Sequence, residues 1–273
     1  MNGWDPQQYL KFKNERTQPS IDLVSRISIE DPKTIIDIGC GPGNSTQILY
    51  KRWPTADIVG IDSSQKMIEK ARADYPAQHW EVQDASNMDM RQKYDIVFSN
   101  ATLQWIYNHN VLIPRLFTMV NDNGVLAVQI PANNESPFYR ILLKTAKSSK
   151  WAMFTAECEK MLTFHNAEYY YNILSRLTQN LDIWTTTYYH IMTSHKDLTD
   201  WHKSTGMRPF LEKLPSDKDR EEFENEVVKE CMAFYPVQND GKILYAFQRI
   251  FFTAKKIHMQ RNCNDIAPGH LIE

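Results

Sequence analysis

The sequence has no surplus of either charge. Its 31 lysines and arginines face 33 aspartates and glutamates, for a formal net charge of -2. Without a global positive field to gather phosphates, the balance argues against a dedicated binder of nucleic acid or of an anionic membrane surface, although a local basic pocket stays open. No run of about 18 apolar residues is present, the length a helix needs to cross a bilayer. The opening stretch, MNGWDPQQYLKFK, has no apolar segment of the kind a secretory signal carries. Cys40, Cys158, Cys231 and Cys263 are widely spaced, and no C-x-x-C pair exists, which argues against a zinc site or a thiol redox motif. A reduced, cytoplasmic chain is the expectation. Internal repeats and low-complexity tracts are also missing.

What remains is a chain of 273 residues with 42% hydrophobic and 23% charged residues, enough to bury a core without staples. That length suits one α/β domain with an insertion or two domains. Thr34 to Ile38 is a short β-branched run that ends at a glycine cluster and reads as a buried strand. A helix follows over Asn44 to Trp53. Strands over Ala56 to Ile61, His79 to Val82, Tyr94 to Ser99 and Val125 to Ile130 continue the pattern. Helices lie between them, one capped by Ser63-Ser64 and another over Val111 to Val120. Strand–helix alternation with short connections predicts a parallel sheet covered on both faces. The second half is less regular. Helices are expected over Pro137 to Ser149, Asn166 to Leu177, Leu198 to Thr205 and Asp217 to Ala233. Two late strands, Ile183 to Ile191 and Ile243 to Ala254, could pair antiparallel at the sheet edge. Residues 257–273 are polar and read as a tail.

The chemistry concentrates at strand ends. Asp37-Ile38-Gly39-Cys40-Gly41-Pro42-Gly43 joins the first strand to the first helix, and its glycines let the backbone turn sharply under a ligand. The spacing is G-x-G-x-G, not the G-x-G-x-x-G that cradles a dinucleotide pyrophosphate. Asp37 is a poor neighbour for phosphate and a good one for an ammonium or sulfonium group. Asp62 ends the second strand, where a carboxylate can accept both hydroxyls of a ribose. Asp84 ends the third, where it can accept from an adenine amino group. Either acid alone could be a helix cap or a turn residue. Together, at the carboxyl ends of parallel strands, they describe a nucleoside site.

These segments, with Gly60-Ile61-Asp62-Ser63-Ser64, Gln83-Asp84-Ala85 and Tyr94 to Ala101, resemble the class I S-adenosylmethionine-dependent methyltransferases over about residues 30–131. The resemblance implies a Rossmann-like, seven-stranded, mostly parallel α/β sheet with its last strand reversed, helices on both faces and a helical substrate cap. It implies S-adenosyl-L-methionine as cofactor, with Asp37, Gly39 and Gly41 by the methionine moiety. Asp62 would lie on the ribose, Asp84 and Ala85 near the adenine, and Asn100 near the sulfonium, with Ser63 also at the cofactor. The domain expectation is an N-terminal lid (1–30), a cofactor-binding core (31–131), cap elements with the last strands (132–256), and the tail (257–273).

The acceptor side is read by exclusion. Ser99-Asn100-Ala101-Thr102 is not the Asn/Asp-Pro-Pro-Tyr/Phe motif of many amino-group methyltransferases, and no second acid builds a metal site there. No histidine stands out as a general base; His190 is the best candidate, and it reads more simply as a strand residue with a satisfied ring. A carboxylate acceptor needs no base, because it is already ionised at pH 7. Trp4-Asp5-Pro6, Tyr9, Phe12, Arg16 and Pro19 read as an aromatic lid carrying an arginine. With Trp105, Ile183 to His190 and Thr205 to Phe210, these segments resemble the trans-aconitate methyltransferase branch of the family, from Trp4 to about Lys256. That resemblance implies monomethyl esterification of a small unsaturated tricarboxylate. Arginine's planar fork suits carboxylates, so Arg208 is the first candidate clamp and Arg16 the second. Tyr9, Trp105, Trp184 and Tyr188 are candidate pocket walls. Two further readings stay open: transfer to another acid such as a malonyl group on a carrier protein, and a cofactor-binding protein that no longer catalyses.

Overall fold

The computed structural model describes residues 12–257; Tyr9, the first part of the expected lid and the tail from residue 258 lie outside them. Short apolar runs bounded by turn residues become the central strands, as strands covered on both faces must. These are β1 (Thr34–Ile38), β2 (Asp57–Asp62), β3 (His79–Val82), β4 (Tyr94–Asn100) and β5 (Val120–Pro131). Two long strands, β6 (Asn180–Met192) and β7 (Ile243–Lys255), complete a seven-stranded sheet in the order β3-β2-β1-β4-β5-β7-β6. β1 to β5 are parallel, and β7 lies antiparallel between β5 and β6. The chain runs outward from β1 to β3 and then crosses back to β4. The strand order therefore reverses between β1 and β4, where a crevice opens at the carboxyl ends of the strands.

Helices α1 (Lys13–Ser25) and α2 (Asn44–Arg52) cover one face, burying Leu23, Val24 and Leu49 against Ile35, Ile58, Ile96 and Phe98. The lid segment thus contains a helix fastened to the sheet. α3 (Gln65–Asp74) starts at the expected serine pair, where Ser64 Oγ accepts the Met67 N–H. On the opposite face, residues of α4 (His109–Thr118) and of a later helix meet Ile36, Val97 and Leu126. A separate core lies beyond the end of the sheet. It is built by α5 (Pro137–Ala146), the single turn α6 (Ala152–Thr155), α8 (His195–Lys203), α9 (Arg208–Lys213) and α10 (Asp217–Cys231), while α7 (Ala167–Leu174) packs back on the sheet. This cap closes over Tyr245 and Phe247 of β7.

Several element ends differ from the sequence reading, those of β5 and α8 among them. β5 begins at Val120 rather than Val125, because Lys256 bonds to Asn123 and Gly124 and draws the expected turn into the sheet. α8 begins at His195 rather than Leu198, with Ser194 as its cap. Arg208 opens α9, and Gly206 just before it has no left-handed backbone.

Candidate active site

Two cavities meet above the carboxyl ends of β1, β2 and β4. The larger, about 490 Å³, is lined by Gly39, Gly41, Asp62, Ser63, Asp84, Ala85 and Asn100, and on its far side by Arg208 and Glu212 of α9. Its floor is the β1–α2 turn. Gly39 has φ 72° and Gly41 φ 56°. A Cβ on Gly39 would stand 2.1 Å from the Thr102 side chain, whereas one on Gly41 would meet nothing. The first glycine therefore lets the turn close against β4, and the second leaves its backbone bare toward the cavity.

Asp62 is fixed by its neighbours. One oxygen accepts the Gly41 N–H at 3.0 Å and the other the Ser64 N–H at 2.8 Å. Burial pushes its carboxyl above the usual range in spite of these bonds. Each oxygen keeps a lone pair for a hydroxyl donor. Asp84 accepts the Ser86 N–H at 2.8 Å and also lines the cavity, so turn residue and site residue are both true of it. Asn100 is buried at the end of β4, and its Oδ1 has no hydrogen-bond partner among the described residues.

Asp37 differs from its sequence assignment. It is fully buried beneath the turn rather than on the cavity wall. One of its oxygens accepts from Ser45 Oγ and Thr46 Oγ1, both at 2.6 Å. Desolvation raises its pKa to about 6. The carboxylate ties β1 to the first turn of α2, and so shapes the glycine turn from below.

The second cavity, about 80 Å³, lies deeper under the cap and shares Ala101 and Trp105 with the first. Ala101 has φ 54°, a strained conformation for a residue with a Cβ, at the place where the two cavities meet. The inner walls carry Arg16, Arg249, Gln104, Asn133, Tyr139, Trp201 and His202, and among the described residues no acid lines them. Arg16 comes from α1 and donates to the Trp201 carbonyl at 2.9 Å and to Ser204 Oγ. Arg249 comes from β7, is 3% exposed, and donates to Gln129 Oε1 at 3.2 Å.

The structure sorts the acceptor-side candidates. Arg16 and Trp105 meet at the inner cavity. Arg208 does not: it faces the larger cavity, with its guanidinium over the Trp105 ring at 5.0 Å and Glu212 at 3.8 Å. Trp184 and Tyr188 line neither cavity. Trp184 stacks on Phe251 under Arg26, and Tyr188 bonds to Asp22 of α1, because α1 covers that face of the edge strands. His190 is buried against the Trp201 ring, outside both cavities, with Nε2 lacking a partner among the described residues. Burial lowers its pKa to about 4, so its ring is neutral but not satisfied. Arg249, Gln104, Asn133, Tyr139 and His202 were not identified from the sequence. Arg249 carried one visible signal, a charge inside an otherwise apolar strand.

Comparison with known proteins matches this geometry. A family described as Methyltransferase domain matches residues 29–196. A trans-aconitate 2-methyltransferase of an Enterobacter species is 38% identical over 94% of this chain and 99% of its own length. One from Escherichia coli O139:H28 is 39% identical over 94% and 100%. The YcgJ protein of Bacillus subtilis shares the fold, with a TM-score of 0.60 at 11% identity over 88% of this chain and 99% of that one. A methyltransferase is therefore the class that fold and site define. Within that class, the chain belongs to the family of the trans-aconitate 2-methyltransferases.

Proposed function

We propose that the chain transfers a methyl group from S-adenosylmethionine to one carboxylate of trans-aconitate, giving a monomethyl ester. The observation that carries this reading is the inner cavity itself: two arginines, no acid among the described residues that line it, and a shared wall with the larger cleft. The relatives' names agree with it.

The larger cleft fits the cofactor in size and in donor chemistry. Asp62 offers acceptors for the ribose hydroxyls, Asp84 and Ala85 border the adenine end, and Asn100 Oδ1 faces the methionine end with unused acceptor capacity. Gly39 and Gly41 let the turn's backbone approach. When bound, S-adenosylmethionine supplies an electrophilic methyl on a positively charged sulfur.

The residues of the chain then have three tasks. Arg16 and Arg249 hold the carboxylates that do not react; a guanidinium on the reacting carboxylate would blunt its nucleophilicity. Trp105, Trp201, Phe164 and Phe247 exclude water from the cavity, which strengthens these pairings and strips the nucleophile of solvent. The walls hold the acceptor toward the opening at Ala101, so catalysis is positioning rather than proton transfer. No base is required, consistent with His190 lying off the site. Arg208 belongs to the cofactor side of Trp105 in this reading.

The test is methyl transfer from labelled S-adenosylmethionine to a panel of mono-, di- and tricarboxylates and to malonyl carrier protein. Trans-aconitate is expected to show the highest kcat/KM. Preferred turnover of the carrier protein, or binding of S-adenosylmethionine with no turnover of any acid, refutes the assignment.

A further inference from the structure

The inner cavity contains one polar group whose protonation is set by a chain of neighbours. Asn133 Nδ2 donates to the Tyr245 hydroxyl at 2.8 Å. A hydroxyl has a single proton to give, and the Tyr245 oxygen lies 2.6 Å from His202 Nε2. The Tyr245 oxygen can accept from both neighbours, but its own proton has no other acceptor among the described residues. The arrangement that satisfies this buried hydroxyl has Tyr245 donating to Nε2, which leaves the imidazole hydrogen on Nδ1. The ring plane is held by Phe138, stacked at 4.0 Å and 13°. Nδ1 has no hydrogen-bond partner among the described residues. It stands beside Gly206, where a Cβ would come within 3.3 Å of it, and both residues line the cavity.

We propose that His202 is a specificity-determining residue whose Nδ1–H donates a hydrogen bond to a non-reacting carboxylate of the acceptor. Tyr245 and Asn133 are the positioning residues that keep the hydrogen on that nitrogen. This rests on the carboxylate reading of the site. The ring stays neutral at working pH because burial and the Arg16 charge bring its pKa down to about 3. It thus adds a directional donor to a cavity that already holds two cations, without the desolvation cost of a third. Gly206 keeps the approach to Nδ1 clear, so its value here is the absent side chain rather than backbone freedom.

Two variants separate the nitrogens. Asparagine places its amide near Nδ1, and glutamine places its amide near Nε2. His202→Asn is expected to keep the KM for trans-aconitate within about threefold, and His202→Gln to raise it about tenfold, the scale of one hydrogen bond to a charged group. S-Adenosylmethionine affinity should not change in either. Nitrogen-15 spectra of imidazole-labelled wild-type protein give a readout that needs no turnover. They are expected to show a protonated Nδ1 and an unprotonated Nε2 for His202, and an altered pattern in Tyr245→Phe. The reverse tautomer in the wild-type spectrum overturns the proposal, even if neither variant folds. So does equal KM for folded Asn and Gln variants. Failure of the function reading looks different: the expected tautomer in a wild-type protein that turns over no polycarboxylate, an outcome that removes the role assigned to Nδ1–H as well.

Discussion

The two cavities are built from different materials. The cofactor cleft is floored by one contiguous half of the sheet, by backbone turns and by acids at successive strand ends, with α9 on its far side. The inner cavity is made from side chains distant in sequence: Arg16 on α1, Trp105 after β4, His202 on α8 and Arg249 on β7. A cleft of the first kind tolerates surface change and is sensitive at its glycines. A cavity of the second kind depends on each side chain and on the cap that holds it.

The largest expected effect tests the inner cavity's dependence on charge. Arg249→Ala should lower kcat/KM for trans-aconitate by about 10²–10³-fold, the cost of leaving a buried carboxylate without its partner. S-Adenosylmethionine affinity measured by calorimetry should stay within about twofold. A parallel loss of cofactor binding would mean that the two cavities are not separable.

The glycine turn tests the other material. Gly39→Ala combines a left-handed backbone, about 1–2 kcal/mol, with a clash at 2.1 Å against Thr102. Gly41→Ala has the backbone strain alone. Thermal unfolding should therefore show a clearly larger loss of Tm for Gly39→Ala; equal losses would show that the contact with β4 does not matter. Next in size, Asp62→Ala should weaken S-adenosylmethionine binding by about 1–3 kcal/mol while leaving the acceptor KM nearly unchanged. Unaltered affinity in a folded variant would remove Asp62 from the ribose.

The smallest effect is a difference in sign with pH. The cap buries His190 and His202, held near pKa 4 and 3 from the ordinary 6.5. The unfolded chain takes up these protons first, so the cap loses stability as pH falls from about 6.5 through those values. Asp37 lies under the cofactor cleft with its pKa raised from 3.8 to about 6. Its contribution is fully present below 3.8 and is lost as pH rises through 6. Hydrogen exchange followed from pH 6.5 to 4.5 should show α8 loosening before β1. His190→Gln should reduce the difference, and a uniform response along the chain would contradict it.

This contrast also explains what could be read from the sequence. The cleft was legible because its acids and glycines sit at boundaries between apolar runs, and strand ends are visible as changes of pattern. Asp37 was legible as an acid at the turn but not in its role, since only coordinates reveal that Ser45 and Thr46 draw it inward. Trp184 and Tyr188, expected as pocket walls, line neither cavity, because strand alternation says nothing about which helix covers which side. Here α1 does. Arg249 and His202 were missed because a charged residue in a late strand and a histidine on a polar helix become a site only when the cap closes.

The position of β7 has a consequence for how the molecule comes into being. This strand enters between β5 and β6 and is the last strand of the described chain, yet it supplies Phe247 and Arg249 to the inner cavity. Its partner β5 ends at Pro131, and Arg249 pairs with that residue. Every described residue that lines the larger cleft lies at or before Glu212, so during synthesis all of them are made before β7, and the inner cavity lacks one wall until β7 has been added.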